Sequence, residues 1–194
     1  MNTSPLTELD AVNIILRNDG EAPVASLDES GFSEAADAAA ALEEVSRTVQ
    51  DGGWAFNTDY SRTMLPDVSQ EIVLPDTTLW ILPTYVSANL SVGERGRKLY
   101  DLSNNTYEFK QAVYLDICQM LDFTELPSSA RYYITLRAAR LYQARSTGSP
   151  RQNSFTEIDE MRAQASLKKA DNRARPRGHF RTARGRRDIL RRPI

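Results

Sequence analysis

LPSSARYYITLRAARLYQAR, residues Leu126 to Arg145, is the longest segment of the chain that reads as one uninterrupted helix. Pro127 marks its entry, because proline disfavours helix in the residue before it and is tolerated in a first turn. Ser128 or Ser129 can cap the first N–H groups, and Gly148 and Pro150 close it. At about 1.5 Å per residue it would run roughly 27 Å, enough to cross a small domain. Tyr133, Ile134, Leu136, Leu141 and Tyr142 do not gather into one stripe. They spread around the axis, interrupted by Arg131, Arg137, Arg140 and Arg145. A helix that is apolar on most sides is covered on most sides. The segment therefore predicts a central strut, and the rest of the chain must supply its cover.

Two helices precede it. Leu6, Leu9, Val12, Ile15 and Leu16 fall within about half of a helical wheel, with Ser4-Pro5 as cap and first turn and Asn18-Asp19-Gly20 as stop. After a loop over 20–32, Ser33 caps a helix from Glu34 to Gln50. Its seam is Leu42, Val45 and Val49, extended by Ala38 and Ala41, and its alanines permit close helix approach.

From Trp54 the period changes to two. Trp54–Phe56, Arg62–Leu65, Glu71–Leu74, Leu79–Leu82, Lys98–Leu102 and Val113–Ile117 are strand candidates, separated by Pro66, Pro75, Pro83 and the Gly93/Gly96 region. After the strut, Ser154 to Glu157 forms a capping box that opens a fourth helix through about Ala170, with Ile158, Met161 and Ala165 on its apolar side. The expected fold is α+β, a bundle of about four helices drawn from both ends of the chain around an inserted β-rich region. Its parts are N-terminal helices (1–53), the insertion (54–126), C-terminal helices (127–170) and a basic arm (171–194).

The 194 residues suffice for one globular body with an extension. Mean hydropathy is -0.48, and no run approaches the roughly 20 apolar residues of a membrane span. The N-terminus MNTSPLTELD has no basic start or apolar run, so no signal peptide is expected. One cysteine, Cys118, gives neither a disulfide framework nor a zinc set, and a reducing cytoplasm is the expected place of synthesis.

The net charge of -2 conceals a division. Residues 172–194 hold nine arginines against one acid, Asp188, a charge of +8, which leaves -10 for the other 171 residues. The arginines are Arg173, Arg175, Arg177, Arg181, Arg184, Arg186, Arg187, Arg191 and Arg192. Arginine suits planar, bidentate pairing with carboxylate or phosphate. Three readings stand: docking on an acidic protein surface, contact with DNA, or a solvated tail. Ile189, Leu190 and Ile194 favour a protein partner, since phosphate binding has no use for them.

ELDAVNIIL with EAPV (8–16 and 21–24), GGWAFN (52–57), MLPDV (64–68) and FTELPSSARYYIT (123–135), in this order, resemble the tail tubular protein A family, the head-to-tail adaptors of short-tailed bacteriophages. The resemblance spans roughly residues 6–145. It implies a virion structural protein of the tail at the head–tail junction, a helical bundle with a β-rich insertion. It further implies a twelve-subunit ring that joins the portal to the nozzle protein (tail tubular protein B), helps to seat the tail fibre, and passes genomic DNA through its lumen during ejection. It supplies no catalytic, cofactor or metal residues. In such a ring the strut's arginine-bearing face could be covered by a neighbour, with Arg137 and Arg140 pairing with Glu43 and Glu44 of the adjacent subunit. The alternative function is nucleic-acid binding through the arginine arm.

Other chemistry is weakly supported. His179 is the only histidine and sits in the arm, which argues against a Ser-His-Asp or His-metal site within one chain. Cys118 is expected to be buried and inert. Asp116, Asp122, Glu125, Glu157 and Glu160 are the carboxylates to weigh for glycoside hydrolysis, but the sequence does not fix their separation. Gly93 and Gly96 lack the Lys-Ser/Thr of a phosphate loop. Trp54, Phe56, Trp80 and Tyr85 are expected to build the core of the insertion, with a subset exposed where a neighbouring subunit packs as the alternative.

Overall fold

The computed structural model describes residues 5–27, 33–146 and 150–175, without the side chains of 33 and 150–156. The order is α1 (Glu8–Asp19), α2 (Ser33–Gln50), β1 (Thr58–Met64), β2 (Thr78–Pro83), β3 (Val92–Arg95), β4 (Lys98–Asp101), β5 (Val113–Gln119), α3 (Ser128–Ser146) and α4 (Pro150–Ala174). The described residues divide into two compact units. Chain up to Gly52 and from Leu121 to Arg173 forms a helical unit, and Gly53–Met120 forms a β-rich one. The fold is α+β, as expected.

In the helical unit α1 begins later than Ser4-Pro5 suggested. Thr7 is the N-cap: its Oγ1 accepts the Asp10 N–H at 3.1 Å while the Asp10 carboxylate accepts the Thr7 N–H at 3.1 Å. An acid three residues after a threonine closes this reciprocal box, which fixes the start. Gly20, at φ +92°, ends the helix in the left-handed region. Val12, Ile15 and Leu16 are buried, as are Ala38, Ala41, Leu42, Val45 and Val49 of α2. The cap expected of Ser33 falls on a side chain outside the described ones.

The strut is α3. From Tyr133 to Gln143 no side chain is exposed, and Tyr133, Ile134, Thr135, Ala138, Ala139, Tyr142 and Gln143 are buried. The single chain buries most of this stretch, while Leu136, Arg137, Arg140 and Leu141 stay half-exposed. Arg131 locks the strut's first turn: Nε donates to Leu126 O at 2.7 Å, Nη1 to Leu6 O at 2.9 Å and Nη2 to Thr124 O at 2.6 Å.

The fourth helix departs from expectation in start and in face. It begins at Pro150, so this proline opens α4, where its missing N–H costs nothing. Ser154 lies inside the helix and is not its cap. The buried positions are Glu160, Ala163, Leu167 and Asp171, whereas Ile158, Met161 and Ala165 are exposed. The helix is turned because the buried Glu160 meets Arg140 on α3, and Gln164 donates to the Tyr133 hydroxyl at 3.2 Å.

The β-rich unit holds a three-stranded antiparallel sheet in the order β1-β5-β2 and a β3-β4 hairpin. Its core is aliphatic, built on Ile72, Leu74, Leu99, Val113, Leu115 and Ile117 with Phe109. Trp54, Phe56 and Trp80 are only half-buried and Tyr85 is exposed, so of the two readings the aromatic core is corrected. Trp54–Phe56 is a turn, because Asn57 Oδ1 accepts the Trp54 N–H at 2.9 Å and turns the chain back. Glu71–Leu74 makes one isolated bridge, Val73 to Lys98, before Pro75 ends it. The unexpected strand β3 exists because Gly96 (φ +57°) and Arg97 (φ +63°) form a two-residue hairpin turn of positive φ. In β1 a bulge at Ser61 (φ +54°) is anchored by its N–H to the buried Asp116 Oδ1 at 2.9 Å.

Candidate subunit interface

Glu44 on α2, Arg137 and Arg140 on α3 and Glu157 on α4 line one groove of about 580 Å³ in the helical unit. Val45, Leu141 and Ala144 supply its apolar part. Three of the four residues expected at a subunit contact therefore share one surface. The fourth, Glu43, is next to it on α2 and exposed.

Each has partners within the chain. Arg140 Nε lies 2.7 Å from Glu160 and its Nη1 3.8 Å from Glu157. Glu43 pairs with Arg47 at 3.0 Å, one helical turn on. Glu44 is held bidentately by Arg145, at 2.8 and 3.0 Å, and this charge-assisted pair keeps the Glu44 carboxyl below the usual carboxylate range. Sequence spacing gave no sign of that pair, since 101 residues separate its members. Arg137 donates to the Tyr133 hydroxyl at 3.0 Å and meets no carboxylate among the described residues.

Of the arm, Arg173 sits in the last turn of α4 and Arg175 just after it. Arg177, Arg181, Arg184, Arg186, Arg187, Arg191 and Arg192, with His179, lie outside the described residues.

The carboxylates weighed for hydrolysis are engaged structurally. Asp116 anchors the β1 bulge, Asp122 and Glu125 form a capping box around a short turn, and Glu157 and Glu160 flank Arg140. Cys118 is buried in β5. Among the described residues no group of three or more His, Cys, Asp or Glu is placed to hold a metal ion, and no helix is long and apolar enough to cross a membrane.

The motif stretches resolve into pins. Asn13 bonds both backbone groups of Val24, at 3.0 and 2.8 Å, tying EAPV to ELDAVNIIL. Asn57 Nδ2 donates to Gln119 O at 3.0 Å, joining the two ends of the insertion. Asp67 of MLPDV accepts the N–H groups of Ser69 and Glu71. A profile of the tail tubular protein family matches residues 9–177, spanning both structural units.

The chain belongs to the tail tubular protein family. It is 31% identical over 129 residues to the tail tubular protein A of Klebsiella phage KP34, covering 66% of this chain and 67% of that protein. As a tail tubular protein it is a structural component of the bacteriophage virion tail. The resemblance carried by the motifs is confirmed, and the family match continues past Arg145 through α4 to residue 177, taking in the first three arginines of the arm.

Proposed function

We propose that the chain is the head-to-tail adaptor, one subunit of a ring of twelve between the portal and the nozzle protein. The ring helps to seat the tail fibre, and genomic DNA leaves through its lumen. What supports this reading is the family match across 9–177, which takes in the helical bundle and the β-rich insertion together. The protein acts by assembly, without catalytic residues or cofactor, and reaches the head–tail junction after synthesis in the host cytoplasm.

Subunits meet in this reading through the groove of Arg137, Arg140, Glu43 and Glu44. Arg137 offers the unmatched charge, while the other three exchange or share partners they already hold. The arginines from Arg173 to Arg192 dock on an acidic surface of the portal or a neighbouring subunit. Twelve such arms would gather on the order of a hundred positive charges, which an anionic partner must offset. The test is to mix purified portal with the full chain and with a chain lacking residues 176–194, which spares α4. The truncated chain should form rings that detach from portal. Undiminished docking contradicts the role of the arm.

The density of arginine also favours a second reading, nucleic-acid binding. Its signature is affinity for DNA that falls with a log–log salt slope of about 0.9 per phosphate contacted, together with failure to bind portal.

A further inference from the structure

Arg175 meets the insertion at its first residue. Its Nη2 donates to Gly53 O at 3.5 Å, and both residues belong to the β-rich unit. The helix stops just before it for a local reason. α4 ends at Ala174, and Pro176 disfavours helical backbone in the residue that precedes it. The arginine arm therefore leaves from the turn that starts at Gly53. From Gly53 to Asn57 this turn bears no charged side chain. Asp59, the first acid after it, is already held by Arg62 at 2.9 Å and by Gln119 at 2.7 Å.

What surrounds Gly53 is aromatic. Trp80 packs against it, since a Cβ there would fall 2.3 Å from Trp80 Cζ2. Trp54 follows it directly, and the Trp54 and Phe56 rings lie 6.4 Å apart at an interplanar angle of 6°. Asn57 holds the turn that carries them, accepting the Trp54 N–H and donating to Gln119 O. Trp54 and Phe56 are half-buried, so both keep ring surface in contact with solvent. The same unit already seats one arginine on a ring: Arg95 Cζ lies 3.8 Å from the Tyr100 centroid.

We propose that Arg177 lays its guanidinium on the Trp54–Phe56 rings of its own chain, latching the root of the arm to the β-rich unit. Two residues of chain span at most about 7 Å, so Arg177 starts close to the corner where Arg175 is held. Its planar, weakly hydrated guanidinium suits an aromatic face, tryptophan above all. The family match runs to residue 177, so it includes this arginine and none of the six beyond it. Those six then reach their partner from a fixed point. The contact lies within one chain and stands whether or not the chain forms rings.

Brief trypsin digestion of the dilute full-length chain, read by mass spectrometry, tests the latch. Trypsin passes over Arg175, which precedes Pro176, and can cut after Arg177 and Arg181. Against the same two sites in a free peptide of residues 172–194, Arg177 should be cut about fivefold more slowly than Arg181, the protection of a partly exposed cation–π contact. Phe56→Leu should remove most of that protection. Acrylamide quenching of tryptophan emission gives a second readout that does not depend on altering the turn. Arg177→Ala should raise it, and Arg181→Ala should leave it unchanged. Equal cutting at the two sites, or equal quenching in the two arginine variants, overturns the latch. Protection that disappears on dilution also overturns it, because the rings would then be covered by another copy. So does protection lost in Asp51→Asn but kept in Phe56→Leu, which would pair Arg177 with a carboxylate instead of the rings.

Discussion

Gln50 and Leu121 are paired like neighbours in a sheet, although 71 residues separate them. Gln50 Oε1 accepts the Leu121 N–H at 2.9 Å, and its Nε2 donates to Leu121 O at 3.0 Å. Gln50 is wholly buried and ends α2, so this one side chain closes the helical unit where the chain leaves it and returns. Gln50→Leu keeps the volume and strands two backbone groups. The loss should be about 2–3 kcal/mol, the cost of leaving buried polar groups unmet. Urea unfolding followed by far-UV circular dichroism checks it, and an unchanged midpoint would show that water replaces the side chain without penalty.

Gly53 and Gly20 separate conformational strain from collision. Both have positive φ, +68° and +92°. A Cβ at Gly20 meets nothing within 4 Å, whereas one at Gly53 falls 2.3 Å from Cζ2 of Trp80. Gly20→Ala should cost about 1 kcal/mol from the left-handed backbone alone. Gly53→Ala should cost distinctly more and shift tryptophan emission, because the indole must move. Equal losses with unchanged emission contradict this.

Acid should loosen α1 through Asp10. Its hydrogen bonds from Thr7 hold the carboxyl below its ordinary value of 3.8. A carboxyl depressed in the folded state adds stability above its unfolded value, and that stability is lost as pH falls through the folded value. The pair is exposed, so the effect is a few tenths of a kcal/mol. Thr7→Ala should flatten the pH dependence below about pH 4. It should also cost about 1 kcal/mol at neutral pH through the lost cap. A stability curve of unchanged slope in the variant counts against the box.

Much of the helical unit was legible. The seams of α1 and α2 follow apolar periodicity, and the burial of α3 on several faces follows from apolar residues spread around its axis. The α4 face was not legible, because Glu160 and Asp171 are buried there while Ile158 and Met161 are exposed. Hydrophobic periodicity misplaces a face whose burial is carried by a partnered acid. In the insertion, the period-two pattern of Trp54 and Phe56 marks a turn in which their rings lie 6.4 Å apart and nearly parallel. The hairpin of β3 and β4 was hidden because its turn is Gly96-Arg97, and arginine is a poor herald of positive φ. At the proposed interface, residue types could nominate Arg137, Arg140 and Glu44, but only the fold reveals that Arg145 already holds Glu44.

Charge reversal should now distinguish two arginines of the strut. Arg140→Glu sets a carboxylate against the buried Glu160 and should destabilise the helical unit by several kcal/mol. Arg137→Glu loses only a bond to the Tyr133 hydroxyl. It should therefore fold nearly normally yet assemble poorly if the groove is a subunit contact. Native mass spectrometry at matched concentration reads the difference, and full assembly of Arg137→Glu rules that contact out.

The adaptor reading is tested most directly by imaging the full chain after incubation with purified portal and nozzle protein from the same phage. Twelvefold rings, bound to portal on one side and to nozzle protein on the other, are the predicted result. A chain that binds neither protein, but binds DNA with a steep salt dependence, would contradict it.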